Sequence, residues 1–116
     1  MITDAKKDVI FLRHILEEIA KIERSVDGLT EEDFKKDQDT QDATLRRLEV
    51  IGEAVKNLSA KLKSTHPSID WKKIAGTRDV IIHAYFRVDL GLTWEIARKD
   101  LAILKKETEK ILKGIS

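Results

Sequence analysis

Apolar residues in this chain recur at intervals of three and four, and no segment alternates apolar with polar residues long enough to make a confident strand. Leu12, Ile15, Leu16, Ile19, Ile22 and Val26 share one stripe, which predicts a helix from about Asp4 to Val26. Leu48, Ile51, Val55, Leu58 and Leu62 predict a second long helix from about Thr40 to Lys63, and Trp94, Ala97, Leu101, Leu104, Thr108 and Ile111 predict a third near the C-terminus. Shorter helices fill the gaps. In "LTEEDF", Thr30 is the N-cap, Asp33 the acid three residues on, and Leu29 and Phe34 the staple, so a helix begins at Glu31. After the only proline, Pro67, Asp70 caps the turn "WKKIA", with Ile69 and Ile74 as a second staple and Gly76 as its end. Thr77 then caps a helix starting at Arg78, and "VDLGLT" breaks the chain before Thr93 caps the last helix. The expected fold class is all-α: a bundle of three long helices plus two or more short ones. Gly52, inside the second long helix, predicts close approach of a neighbouring backbone, because glycine there costs about 1 kcal/mol relative to alanine.

At 116 residues, with no repeat or linker, the chain is expected to form a single domain, 1–116. It has no cysteine, which excludes disulfides, thiolate metal sites and a cysteine nucleophile and suits a reducing cytosol. The longest apolar run, "VIFL", is far too short for a membrane span, and "MITDAKKD" is charged where a signal peptide is apolar, so a soluble cytoplasmic protein is expected. Basic residues (22) nearly balance acidic ones (21), so any nucleic-acid contact must come from a local cluster. "DQDTQD", Asp37 to Asp42, has the wrong carboxylate spacing for a calcium loop and lacks its glycine; helix-start acids account for it better.

One stretch concentrates ionisable groups: "GTRDVIIHAYFR", Gly76 to Arg87. On an ideal helix, Val80, Ala84 and Ile81 make a core face, while Ile82 and Phe86 share the opposite side with Arg78, Asp79, His83 and Tyr85. A surface of that mixture suggests a partner, and a second copy of the chain is the simplest one. Arg78 and His83 lie about 140° apart on such a helix, so two facing copies converge them on one atom better than one copy does. Asp79 and His83, four residues apart, are within hydrogen-bonding reach. A positioned histidine as general base or acid, with an arginine to bind phosphate, forms a plausible metal-free phosphodiester site, aided by the helix start at Thr77 and Arg78. RNA would bring its own nucleophile, the 2′-hydroxyl. From pattern alone the same residues also read as an ion-pair network. Trp71, Lys72 and Lys73 could contact RNA, but a packed tryptophan with solvated lysines is the plainer expectation. Arg87 reads as a surface residue, as does His14; His66 lies in a loop without a ligand set.

Arg78, a polar residue, three free positions, His83, one free position and Tyr85 together resemble the signature of the HEPN superfamily, specifically its HepT-like toxin branch of the MntA/HepT toxin–antitoxin type. "RLEVIGEAVKNLS", "HPSIDWKKIAGTRDVIIHAYFRVD" and "TWEIARKDL" resemble successive blocks of that branch. The resemblance implies a helical homodimer with the signature helices facing across a cleft, and a metal-independent endoribonuclease that needs no cofactor. It assigns catalysis to Arg78 and His83 and a supporting role to Asp79, where asparagine is common in the family. A carboxylate there is acceptor-only and negative toward RNA. It further implies a nucleotidyltransferase antitoxin that adenylylates Tyr85, as in type VII-like systems, with tRNA or mRNA as substrate and tRNA favoured by characterised relatives. The alternative is a non-catalytic HEPN dimer that binds nucleotide or protein.

Overall fold

The structure, a computed structural model, describes residues 3–83 and 87–115, with the backbone alone at positions 78, 80, 82, 83 and 87. Helix α1 runs Asp4–Val26, and the Thr3 hydroxyl accepts the Lys6 amide at 3.2 Å to start it. Five of the six residues of its expected stripe, Leu12, Ile15, Ile19, Ile22 and Val26, are essentially inaccessible, and Leu16 is half-buried. One place on that stripe is an acid. Asp8, four residues before Leu12, is buried, and its carboxylate accepts the amide of Ser59 at 2.8 Å and its hydroxyl at 2.6 Å. Burial of a carboxylate is tolerated because both its oxygens are bonded.

Helix α2, Glu31–Lys36, starts with the expected capping box between Thr30 and Asp33, and Phe34 is wholly buried against the Trp94 ring, centroids 5.4 Å apart. The long helix expected from Thr40 to Lys63 is two helices, α3 (Gln38–Lys56) and α4 (Ala60–Thr65). The interruption comes from side chains that compete with the helical backbone. Asn57 donates its amide to the Glu53 carbonyl at 2.8 Å, and Ser59 accepts the Leu62 amide at 3.1 Å as the cap of α4. Leu58 and Leu62 remain buried, which is why the apolar spacing runs unbroken through the gap. Asp37, within the acid-rich stretch, caps α3. The Thr40 hydroxyl (2.7 Å) and amide (3.1 Å) donate to it and hold its carboxyl below the ordinary aspartate range.

Helices α5 (Trp71–Ala75) and α6 (Thr77–Ile81) follow, separated by Gly76 alone. A two-stranded antiparallel pair comes next, β1 (Ile82–His83) and β2 (Arg87–Val88), in the register Ile82↔Val88 and His83↔Arg87. The last helical stretch starts earlier than expected, with α7 at Leu90–Glu95. Asp89, not Thr93, is its cap and accepts the Leu92 amide at 3.0 Å, while the Thr93 hydroxyl is buried and donates to the Asp89 carbonyl at 2.7 Å. A π-helical segment, Ile96–Asp100, joins α7 to α8, Leu101–Ile115.

α1 packs along α3 and against α8, and α3 carries α5 and α6 on its other flank. The core is built from Ile15, Ile19, Ile51, Val55, Leu101 and Leu104 together with their neighbours on the same stripes. The bundle is therefore all-α in architecture, with three long helices and several short ones, and the two-residue strand pair is its one departure among the described residues.

Candidate active site

The signature begins at the α5–α6 corner, and the corner is held from three sides. Asp70 caps α5 by accepting the Lys73 amide at 3.0 Å. Trp71 is buried and donates its indole N–H to the His66 carbonyl at 3.0 Å, so it anchors the corner and presents no face for stacking. Gly52 of α3 lies beneath. A Cβ at position 52 would meet the carbonyl oxygen of Ala75 at 3.1 Å and that of Ile74 at 3.5 Å, which is the close backbone approach anticipated for this glycine. Gly52→Val forces Cβ and two methyls against those carbonyls. It is expected to destabilise the protein by about 1–3 kcal/mol in urea titrations, and to shift the corner that carries the signature.

Three local expectations change at this corner. Thr77 does not cap α6, because its hydroxyl donates back to the Lys73 carbonyl at 3.1 Å. The helix expected to continue beyond His83 ends at Ile81. The run Val80, Ile81, Ile82 is β-branched and a weak helix former, and the Asp89 amide donates to the Ile81 carbonyl at 2.9 Å. Consequently Asp79 and His83 are not helical i and i+4 neighbours, and the 140° relation between Arg78 and His83 does not hold. Arg78 lies in α6 and His83 in extended backbone two residues past its end. Three helical steps and two extended ones separate their Cα atoms by up to about 11 Å. The side chains of Arg78, His83 and Arg87, and all of Tyr85, lie outside the described residues.

Asp79 is exposed on the wall of a recess of about 260 Å³, which it shares with Arg46, Glu49, Glu53, Lys56 and Ala75. Arg46 pairs with Glu49 at 3.5 Å and Lys56 with Glu53 at 3.3 Å. Three carboxylates thus face two cations. On the other flank of the corner is an apolar cleft of about 280 Å³ lined by Leu48, Ile51, Ile69, Ile74, Ile96 and Leu104, with Thr77 and Lys73 at its edge. The other histidines are elsewhere: His14 is exposed, edge-on to Phe11 at 6.2 Å, and His66 is the C-cap of α4. Among the described residues no group of three or more His, Cys, Asp or Glu could hold a metal ion, and no helix is long and apolar enough to cross a membrane.

A family model described as ribonuclease HepT-like matches residues 15–111, a span that includes the whole Arg78–Tyr85 signature. The chain belongs to the HepT-like ribonuclease family. HepT-like relatives extend the match. A Methanocaldococcus jannaschii protein, named for a gamma-glutamylcyclotransferase and provisionally for an RNase, is 49% identical over 95% of this chain, which spans only 50% of that protein's length. A provisionally named RNase of Caldanaerobacter subterraneus subsp. tengcongensis is 43% identical over 88% of this chain and 91% of its own. A "probable ribonuclease HepT" of Thermococcus cleftensis is 43% identical over 89% of this chain and 94% of its own. No solved structure gives a significant match.

Two residues outside the signature escaped the sequence reading. Asp8 fixes the start of α4, and its signal was an acid in an apolar-stripe position. Lys56, the last residue of α3, lines the recess beside Asp79, a neighbourhood that spacing cannot show.

Proposed function

We propose that this protein is an endoribonuclease that uses Arg78 and His83 on an RNA phosphodiester, acts as a homodimer, and is silenced by adenylylation of Tyr85. The reading is carried by one coincidence: the family match over residues 15–111 contains the signature spacing of Arg78, Asp79, His83 and Tyr85. The names of its relatives, which include ribonucleases, point the same way. In the proposed reaction the imidazole of His83 takes the proton of the RNA 2′-hydroxyl, and the 2′-oxygen attacks the adjacent phosphorus. The bond to the 5′-oxygen breaks, that oxygen takes a proton from imidazolium or water, and a 2′,3′-cyclic phosphate remains. The Arg78 guanidinium binds the non-bridging oxygens bidentately as their charge grows. No metal is required for this route, since the substrate supplies the nucleophile.

In the proposed dimer the site is composite: one subunit supplies the guanidinium and the other the imidazole. Asp79 is assigned a supporting role at the mouth of its recess, where it orients a neighbouring donor. Purified protein is expected to cleave tRNA or mRNA in the presence of a chelator. Intact RNA across both pools contradicts the enzyme reading and leaves a non-catalytic nucleotide- or protein-binding dimer.

Regulation follows from charge. The Tyr85 hydroxyl attacks the α-phosphorus of ATP on the antitoxin nucleotidyltransferase, pyrophosphate leaves, and the tyrosyl-AMP brings an anion and bulk that compete with RNA for Arg78. Mass spectrometry after incubation with such a transferase and ATP is expected to show AMP adducts on Tyr85 and parallel loss of cleavage. An unchanged mass, or adducts confined to other residues, removes this part of the proposal.

A further inference from the structure

Charge is distributed unevenly along the chain. Residues 1–53 carry nine Lys and Arg against fourteen Asp and Glu, whereas residues 54–76 carry five lysines against a single acid, Asp70. That acid is engaged as the cap of α5. The five lysines are Lys56, Lys61, Lys63, Lys72 and Lys73, on the end of α3, on α4 and on α5.

The structure shows that the fold of this stretch does not depend on most of those charges. Ser59 and Asp70 cap its two short helices, Leu62, Ile69 and Trp71 bury its apolar side, and the Trp71–His66 bond closes the loop between them. Lys56 and Lys63 are the exceptions: the Lys56 ammonium pairs with Glu53 at 3.3 Å, and that of Lys63 donates to the Val55 carbonyl at 3.2 Å. Lys61, Lys72 and Lys73 are exposed and, among the described residues, make no ion pair. Lysines of the acidic half behave differently: Lys35 and Lys36 pair with Glu31 and Glu32. Uncompensated like charges within a Debye length, about 8–10 Å, repel one another and add nothing to stability, so they matter for what approaches.

The stretch also touches the candidate site on both flanks. Lys56 lines the recess that holds Asp79, and Lys73 lines the cleft that reaches Thr77 together with Asp70, Asp100 and Glu107, so lysines of this stretch flank the start of α6 on both sides. We infer that the segment from Lys56 to Lys73 is the RNA-anchoring surface of this protein, with Lys61, Lys72 and Lys73 taking backbone phosphates and leading the strand to the α5–α6 corner. The occupant is a polyanion read by its phosphates and not by its sequence, because lysines offer point charges and Trp71, the segment's single Trp, Tyr or Phe, is buried. This inference rests on the ribonuclease reading for its substrate, but its test measures binding separately from cleavage.

The test compares Lys61→Gln/Lys72→Gln/Lys73→Gln with the control Lys35→Gln/Lys36→Gln, each in the full chain, and titrates fluorescein-labelled tRNA over a range of salt in a His83→Ala background. Each phosphate contact contributes about 0.7–0.9 to the slope of log K against log salt, so the triple variant is expected to lose about 2–3 from that slope. The control keeps its slope. With His83 restored, the triple variant is expected to raise KM at least tenfold and keep kcat within about twofold, as loss of uniform binding does. If the triple variant does not fold by circular dichroism, the three single substitutions carry the test, each lowering the slope by just under one unit. An unchanged slope and KM in a wild type that cleaves RNA overturns the anchoring surface and leaves the ribonuclease reading standing. A reduced slope in a protein that cleaves nothing supports the surface and removes the enzyme. No tRNA binding by the parent protein overturns the inference outright.

Discussion

His83→Ala is expected to lower RNA cleavage by about two to four orders of magnitude while the helical circular dichroism spectrum and the unfolding midpoint stay near those of the parent. The loss follows from the role assigned to the imidazole, since an RNA phosphodiester needs its 2′-hydroxyl deprotonated and no cysteine is available to act instead. His14 is exposed on α1 beside Phe11, so His14→Ala is expected to cleave at the parental rate and serves as the control for removing a histidine as such. Arg78→Lys keeps the charge but loses the planar fork, and is expected to cost about 10²–10³ in kcat. Cleavage by His83→Ala at more than a tenth of the parental rate would remove the histidine from the chemistry.

The largest stability effect is expected at Phe34. Its side chain is completely buried and meets Trp94 at 5.4 Å between ring centroids, so it is the peg by which the short helix α2 holds to α7. Its own carbonyl accepts the Gln41 side-chain amide at 2.9 Å, which ties the same point to α3. Phe34→Ala leaves a cavity between these three elements and is expected to cost about 3–5 kcal/mol, a large part of the roughly 5–15 kcal/mol that holds a domain of this size together. At about 4 °C per kcal/mol, the melting temperature should fall by about 12–20 °C. Phe34→Leu, which refills most of the space, should lose much less. Equal losses for the two variants would show that ring contact, and not volume, holds α2 in place.

What could be read from the residues depended on whether one force decided the outcome. Burial decided α1: its stripe from Leu12 to Val26 is the observed buried face, and its ends fall at Asp4 and Val26 as expected. The Thr30–Asp33 box and the Asp70 cap were equally legible, because a cap is a local bond between residues three apart. Where two forces competed, the sequence reading followed the wrong one. The apolar spacing through Leu58 and Leu62 hid the break at Asn57–Ser59, which is set by side-chain hydrogen bonds and by Asp8, 51 residues away. Thr93 looked like a cap but is buried, and Asp89 takes that role. The spacing of Arg78, Asp79, His83 and Tyr85 is a feature of the sequence, while the end of α6 at Ile81 depended on a bond from Asp89 that no local pattern contains. That bond removes the helical-wheel relation between the two residues, since Arg78 lies on a helix and His83 in extended backbone beyond its end.

Subunit mixing tests the proposed composite site most directly. Arg78→Ala and His83→Ala proteins, each inactive alone, are unfolded and refolded together, and RNA cleavage by the mixture is measured against the parent. If one subunit gives the guanidinium and its partner the imidazole, every mixed dimer regains one intact site and cleavage returns to a substantial fraction of the parental rate. Mixed dimers that form, as shown by differently tagged subunits eluting together, yet remain as inactive as either variant alone contradict the shared site.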